Sequence, residues 1–116
     1  MKTIVVLEDE VTNAWRMLVA KWLVRSGCLY MMSWGIDASG WDDAVDDSNL
    51  EQSDFGEIPD KHFVITTWHE NEALSDVFWF AKHSAEHPAT EIHDVLVLHI
   101  SESDRQLEFE DLFRSA

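Results

Sequence analysis

Between Trp34 and Asp60 there is no lysine and no arginine. The stretch WGIDASGWDDAVDDSNLEQSDFGEIPD holds nine carboxylates: Asp37, Asp42, Asp43, Asp46, Asp47, Glu51, Asp54, Glu57 and Asp60. Cations are scarce throughout, with 8 Lys and Arg against 23 Asp and Glu, a formal net charge of -15 over 116 residues. That balance argues against nucleic acid as a partner, because phosphates would be repelled rather than neutralised. It argues equally against an anionic membrane surface. A basic protein is the partner class it favours, since a negative field speeds the encounter.

Cysteine is nearly absent. The single Cys28 rules out an intrachain disulfide and points to a reducing compartment. It lies in the apolar run Cys28 to Met32, where a buried structural thiol is expected. No long apolar run exists either. MKTIVVLEDE turns acidic after five apolar residues, which fits neither a signal peptide nor a membrane span, so a cytoplasmic location is expected. The four glycines are scattered, none as G-x-G or G-K-[ST], so no phosphate-cradling loop is present, and there is no serine nucleophile elbow. Repeats and low-complexity linkers are missing too, and the length suits one domain, 1–116.

What the chain does have is apolar bulk: 46% hydrophobic residues, with six Trp and six Phe. Thr3 to Leu7 reads as a buried strand. In DEVTNAWRMLVAKWLVRSG, the spacing of Val11, Trp15, Leu18 and Trp22 predicts a helix with those residues as its core stripe. Asp9 and Glu10 stand at its start, Gly27 at its C-cap, and Arg16, Lys21 and Arg25 largely on the opposite face. Cys28 to Trp34 and His62 to Trp68 read as further strands. Asn71 to His87 reads as a helix with Asn71 as N-cap and a core stripe of Leu74, Val77, Phe78 and Ala81. Asp94 to Ser101 is continuously apolar, in the manner of a central parallel strand. The tail allows a short amphipathic helix through Leu107, Leu112 and Phe113. The order β-α-β-loop-β-α-β-α predicts an α/β fold, a three-layer domain with a mostly parallel four-stranded sheet and helices on both faces. Residues 34–60 form a crossover with only a weak helix signal around Trp41 to Leu50, where Asp42/Asp46 and Asp43/Asp47 would be like-charge pairs. A crossover of that length is expected to be functional, with Trp34, Trp41 and Phe55 docking it.

Ligands of open α/β sheets bind beyond the carboxyl ends of the strands. Those ends carry Glu8, Asp9 and Glu10, then Asp37, then His69 and Glu70, then Glu102 and Asp104. Hard oxygen ligands gathered on one edge can hold a divalent cation, so Glu8, Asp9, His69 and Glu70 form the candidate metal set. The strand-end acids have a plainer role as helix caps. His69-Glu70 begins like the zincin motif, but Ala73 stands where a second His is required. His83 and His87 are spaced to share a helix face, with no third zinc ligand in register. His69 beside Glu8 or Asp37 would be an acid/base pair.

TIVVLEDE resembles the start of response-regulator receiver domains, which implies a magnesium-dependent phosphorylation pocket fed by strand-end acids. The chain departs from that family where its third strand ends in TTWHE, without a phosphoacceptor Asp, and where its fourth ends in HISES, without a lysine. By size, charge and architecture the whole chain resembles the immunity proteins of bacterial toxin systems, including those of contact-dependent growth inhibition. TTWHENEALSDVFWFAKHS has the look of a small uncharacterised bacterial α/β family. The immunity resemblance implies a non-enzymatic inhibitor of a basic, nuclease-like toxin, without catalytic residues, cofactor or metal. Its contact surface would comprise Trp34, Asp37, Trp41, Asp42, Asp43, Asp46, Asp47, Glu51, Asp54, Phe55 and Glu57, with Glu8 and Glu70. The alternative is a small metal-dependent α/β enzyme or receiver-like signalling domain using the strand-end carboxylates.

Overall fold

The structure, a computed structural model, describes residues 1–116. The elements run β1 (Lys2–Leu7), α1 (Asn13–Arg25), β2 (Tyr30–Gly35), α2 (Ala38–Gln52), β3 (Ile65–His69), α3 (Leu74–His83), β4 (Val95–Ile100) and α4 (Gln106–Ser115), with a 3-10 turn at Asp60–His62. The four strands form one all-parallel sheet in the order β3-β2-β1-β4. This is the expected α/β architecture. β1 lies inside the sheet, and its Ile4, Val5 and Val6 are fully buried. Val5 and Leu7 join α1 and α2 in one core layer, while Ile4 and Val6 join α3 and α4 in the other.

The acidic crossover is not an irregular loop. It folds as the 15-residue helix α2, which buries Ala38, Trp41, Ala44, Val45, Ser48 and Asn49 against the sheet and α1. Asn49 ties α2 to the chain before β3: its amide donates to the His62 carbonyl at 2.9 Å and its oxygen accepts the Val64 N–H at 2.9 Å. Each like-charge i,i+4 pair costs a few tenths of a kcal/mol, whereas a buried Trp is worth about 3–5 kcal/mol. Packing decides the helix. Entry into α2 requires Gly35, at φ +103, because a Cβ there would stand 2.2 Å from the Leu7 carbonyl oxygen.

Three other expectations are corrected. First, α1 buries Ala20, Leu23 and Val24, while Trp15, Leu18 and Trp22 stand 43%, 66% and 52% exposed. The helix is apolar on nearly every side, so its periodicity fits more than one face, and the small Ala20 takes the buried position. Asp9 and Glu10 precede the helix, whose N-cap is Thr12, its hydroxyl accepting the Trp15 N–H at 3.2 Å. Gly27, at φ +88, follows the C-cap Ser26 as expected. Second, β4 is an edge strand, half-buried along most of its length despite its apolar sequence. Third, α3 is shorter than expected, starting at Leu74 and ending at His83, with Asn71 outside it at φ +60. Its stripe of Val77, Phe78 and Ala81 is buried as expected, and Leu74 half-buried. In α4 the buried residue is Phe109, and Leu107 is exposed.

Trp41→Ala is expected to cost about 3–5 kcal/mol in urea unfolding, as for any large truncation of a packed core. Phe55→Ala, at a position 72% exposed, should change stability by no more than about 0.5 kcal/mol. Equal effects at the two positions would contradict the packing of α2.

Candidate functional site

Because α2 is pinned by its inner face, its acids are sorted by helical position. Asp43, Asp46, Asp47 and Glu51 are exposed, and Asp54 and Glu57 follow just past the helix. Asp43, Asp47 and Glu51 recur every four residues, which places carboxylates about 6 Å apart along the axis. Leu50, 40% exposed, lies among them. The only cation that reaches this row is Lys21 of α1, 3.6 Å from Glu51. At the end of the row the backbone turns left-handed at Asp54 (φ 51) and Phe55 (φ 59), with the Phe55 N–H donating to the Leu50 carbonyl at 2.8 Å. A left-handed conformation costs an aromatic residue about 1–2 kcal/mol, and strain of this kind gathers at functional positions. Phe55 itself stands 72% exposed.

Other members of the expected contact surface stand elsewhere. Trp41 is 1% exposed and belongs to the core, so it cannot anchor a partner. Trp34 lies on the opposite sheet face, packed toward α3 with its indole N–H donating to the Glu72 carbonyl at 2.8 Å. Asp37, left-handed at φ 55, pairs with Arg16 of α1. Gly40 makes room for this pair, since a Cβ there would meet both side chains. Glu70 is exposed.

Asp42 is buried at 4% exposure, and its Oδ2 has no hydrogen-bond partner. Its neighbours are Asp46 and Thr66, whose hydroxyl donates to Asp46 at 2.8 Å. Burial first, then the Asp46 charge, pushes the Asp42 carboxyl from 3.8 up to about 6, with the nearby Thr66 hydroxyl opposing the shift.

The strand-end acids do not converge. Glu8 is held by His99 Nε2 at 2.5 Å and by the Arg105 guanidinium at 2.5 Å, both part-buried. Arg105 also grips Glu108 with two nitrogens, at 2.8 and 2.5 Å, and holds that carboxyl below its ordinary value. Its guanidinium lies 4.8 Å from the Phe109 ring centroid. Asp9 accepts the Glu102 N–H at 2.7 Å. His69 pairs with Glu72 and lies 2.8 Å from the Thr67 hydroxyl, two strands away from Glu8. No group of three or more His, Cys, Asp or Glu side chains is placed to hold a metal ion. The set Glu8, Asp9, His69 and Glu70 is therefore not one site, and His69 meets neither Glu8 nor Asp37. His83 and His87 part as well. His87 lies beyond α3, buried, donating to the Phe63 carbonyl at 2.7 Å. Cys28 is buried, its thiol pushed up chiefly by burial.

A family model described as Domain of unknown function (DUF7684) matches residues 1–116. The chain belongs to this family. No curated protein and no solved structure matches it. No helix is long and apolar enough to cross a membrane.

Two features escaped the sequence. The Glu8–His99–Arg105 network joins residues far apart in the chain, and no local signal marks it. The exposed row Trp15, Leu18 and Trp22 had a signal, an apolar surplus around α1 larger than one buried face can hold.

The raised carboxyl of Asp42 makes folding bind a proton that the unfolded chain gives up. Its contribution is thus most favourable below about pH 4 and is lost as pH rises to about 6. Above that range the buried charge costs on the order of 2–3 kcal/mol. Asp42→Asn should therefore stabilise the protein by that order at about pH 7.5, the gap shrinking toward zero near pH 4. Paired urea titrations at the two pH values check this, and a gap that does not change with pH contradicts it.

Proposed function

We propose that the protein is a non-enzymatic acidic binding protein, an immunity protein or antitoxin that neutralises a basic, nuclease-like toxin by covering its active-site cleft. The observation that carries this reading is the outward row Asp43, Asp47, Glu51 and Asp54, ending in the strained and exposed Phe55. Carboxylates at regular spacing pair with Arg and Lys of a cleft built for phosphates, bidentately where Arg is the donor. They steer the encounter, and a buried aromatic supplies the holding energy. The cations of this chain offer the row little competition. Arg16, Arg105 and Arg114 are paired with other acids, Lys2 donates to the Ala81 carbonyl, and Lys82 donates to carbonyls at the end of α4.

The experiment is inhibition of the product of an adjacent toxin-like gene, assayed as nuclease activity against increasing amounts of this protein. Stoichiometric inhibition is expected. Asp43→Lys with Asp47→Lys should slow association at least about tenfold and flatten its salt dependence, with circular dichroism unchanged. Phe55→Ala should speed dissociation, at a cost of about 2 kcal/mol or more in affinity. Inhibition indifferent to all three substitutions would remove the acidic row from the interface.

A further inference from the structure

α1 and α2 lie side by side on one face of the sheet, so their outward faces form a single surface. Lys21 and Glu51 bridge the two helices at that surface. Along α1 the outward residues Leu18 and Trp22 are more than half exposed, and Trp15, edge-on to the buried Trp41, keeps 43% of its surface in solvent. Their spacing of three and four is that of a seam that receives another helix. Along α2 run Asp43, Leu50 and Asp47. The molecule thus presents two tryptophans and a leucine on α1 beside a row of carboxylates on α2. Patches of this make-up, aromatic with a charged rim, are where partners dock.

From this arrangement we infer that the α1/α2 surface is a docking site for a cationic amphipathic helix of the partner. The apolar stripe of that helix seats along Trp15, Leu18 and Trp22, and its Lys and Arg side chains face Asp43, Asp47 and Asp54. The inference rests on the reading above and narrows it, adding to the acidic row the apolar anchor that row lacks apart from Phe55. Charge selects this occupant over a second copy of the chain. Two copies joined face to face along antiparallel α1 helices would bring their α2 acids toward one another, each copy carrying a net charge of -15. A basic helix turns the same carboxylates into partners. Furrows between adjacent packed helices also match the width of a third helix, at interaxial distances of about 8–10 Å.

The test uses the whole protein and two synthetic peptides of identical Leu and Lys composition. In one the leucines recur at helical spacing. In the other they are scrambled so that no apolar face forms. Calorimetry at moderate salt should give binding of the patterned peptide at least about tenfold tighter than the scrambled one. Leu18→Glu and Trp22→Ala should each weaken it about tenfold or more. Both positions are exposed, and unchanged circular dichroism and unfolding midpoints would show the fold intact. Equal binding of the two peptides, or binding unaffected by Leu18→Glu, overturns the docking site. Toxin inhibition lost by the Asp43→Lys, Asp47→Lys variant but kept by Leu18→Glu would then leave the acidic-row reading standing without it. Sedimentation supplies the last arm: a wild-type dimer made monomeric by Leu18→Glu assigns the stripe to a second copy and overturns the proposal.

Discussion

The inner face of α2 is the constraint on which the rest of the surface depends. Trp41, Ala44 and Val45 lock the helix onto the sheet and α1, and that packing outweighs like-charge contacts of a few tenths of a kcal/mol each. Once the inner face is fixed, helical geometry leaves the carboxylates no choice of direction. Asp43 and Asp47 must point to solvent, Glu51 toward Lys21, and Asp42 and Asp46 toward Thr66 on β3. The buried and partly unsatisfied Asp42 is the cost of this rigidity, a polar group placed where the helix repeat demands.

Local chemistry explains which parts of this were legible beforehand. β1 is short, β-branched and followed by acids, and it lies where such a strand should, inside a parallel sheet. α3 carries one apolar stripe and buries it. Gly27 has the positive φ its place after a helix requires. The misread elements share a different property, in that their sequences satisfy more than one environment. α1 has bulky apolar residues on two faces, and only the packing distance to the sheet selects Ala20 over Trp15 or Leu18. β4 reads as central in composition, but strand order depends on crossovers that no strand encodes within itself. α2 was obscured by its charges, because repulsion along a helix is visible in sequence while the tertiary burial that overcomes it is not.

The same logic separates the candidate sites. A set of strand-end acids looks like a ligand site whenever strand order is unknown. With the order β3-β2-β1-β4, His69 and Glu8 are two strands apart, and each has its own partner, Glu72 for one and His99 with Arg105 for the other. Arg105 reaches Glu8 at the end of the sheet between β1 and β4, where a doubly wound fold usually admits a ligand. A cation of the kind that marks a phosphate site is thereby committed to Glu8 and Glu108.

Internal pairing of the cations shapes the exterior. Six of the eight, all but Arg25 and Lys61, make an ion pair or side-chain hydrogen bond within the chain. What remains outside is a field of one sign, strongest where α2 lines up its acids. Such a field discriminates among partners at long range but holds none of them well, since exposed ion pairs contribute at most about 1 kcal/mol each and weaken with salt. Tight binding therefore requires apolar area close to the acids. On this molecule that area lies on α1, the one long helix without an acidic residue. Field and anchor are carried by neighbouring helices, so a partner must offer both a basic surface and an apolar ridge at a fixed separation. Specificity then comes from geometry as much as from charge.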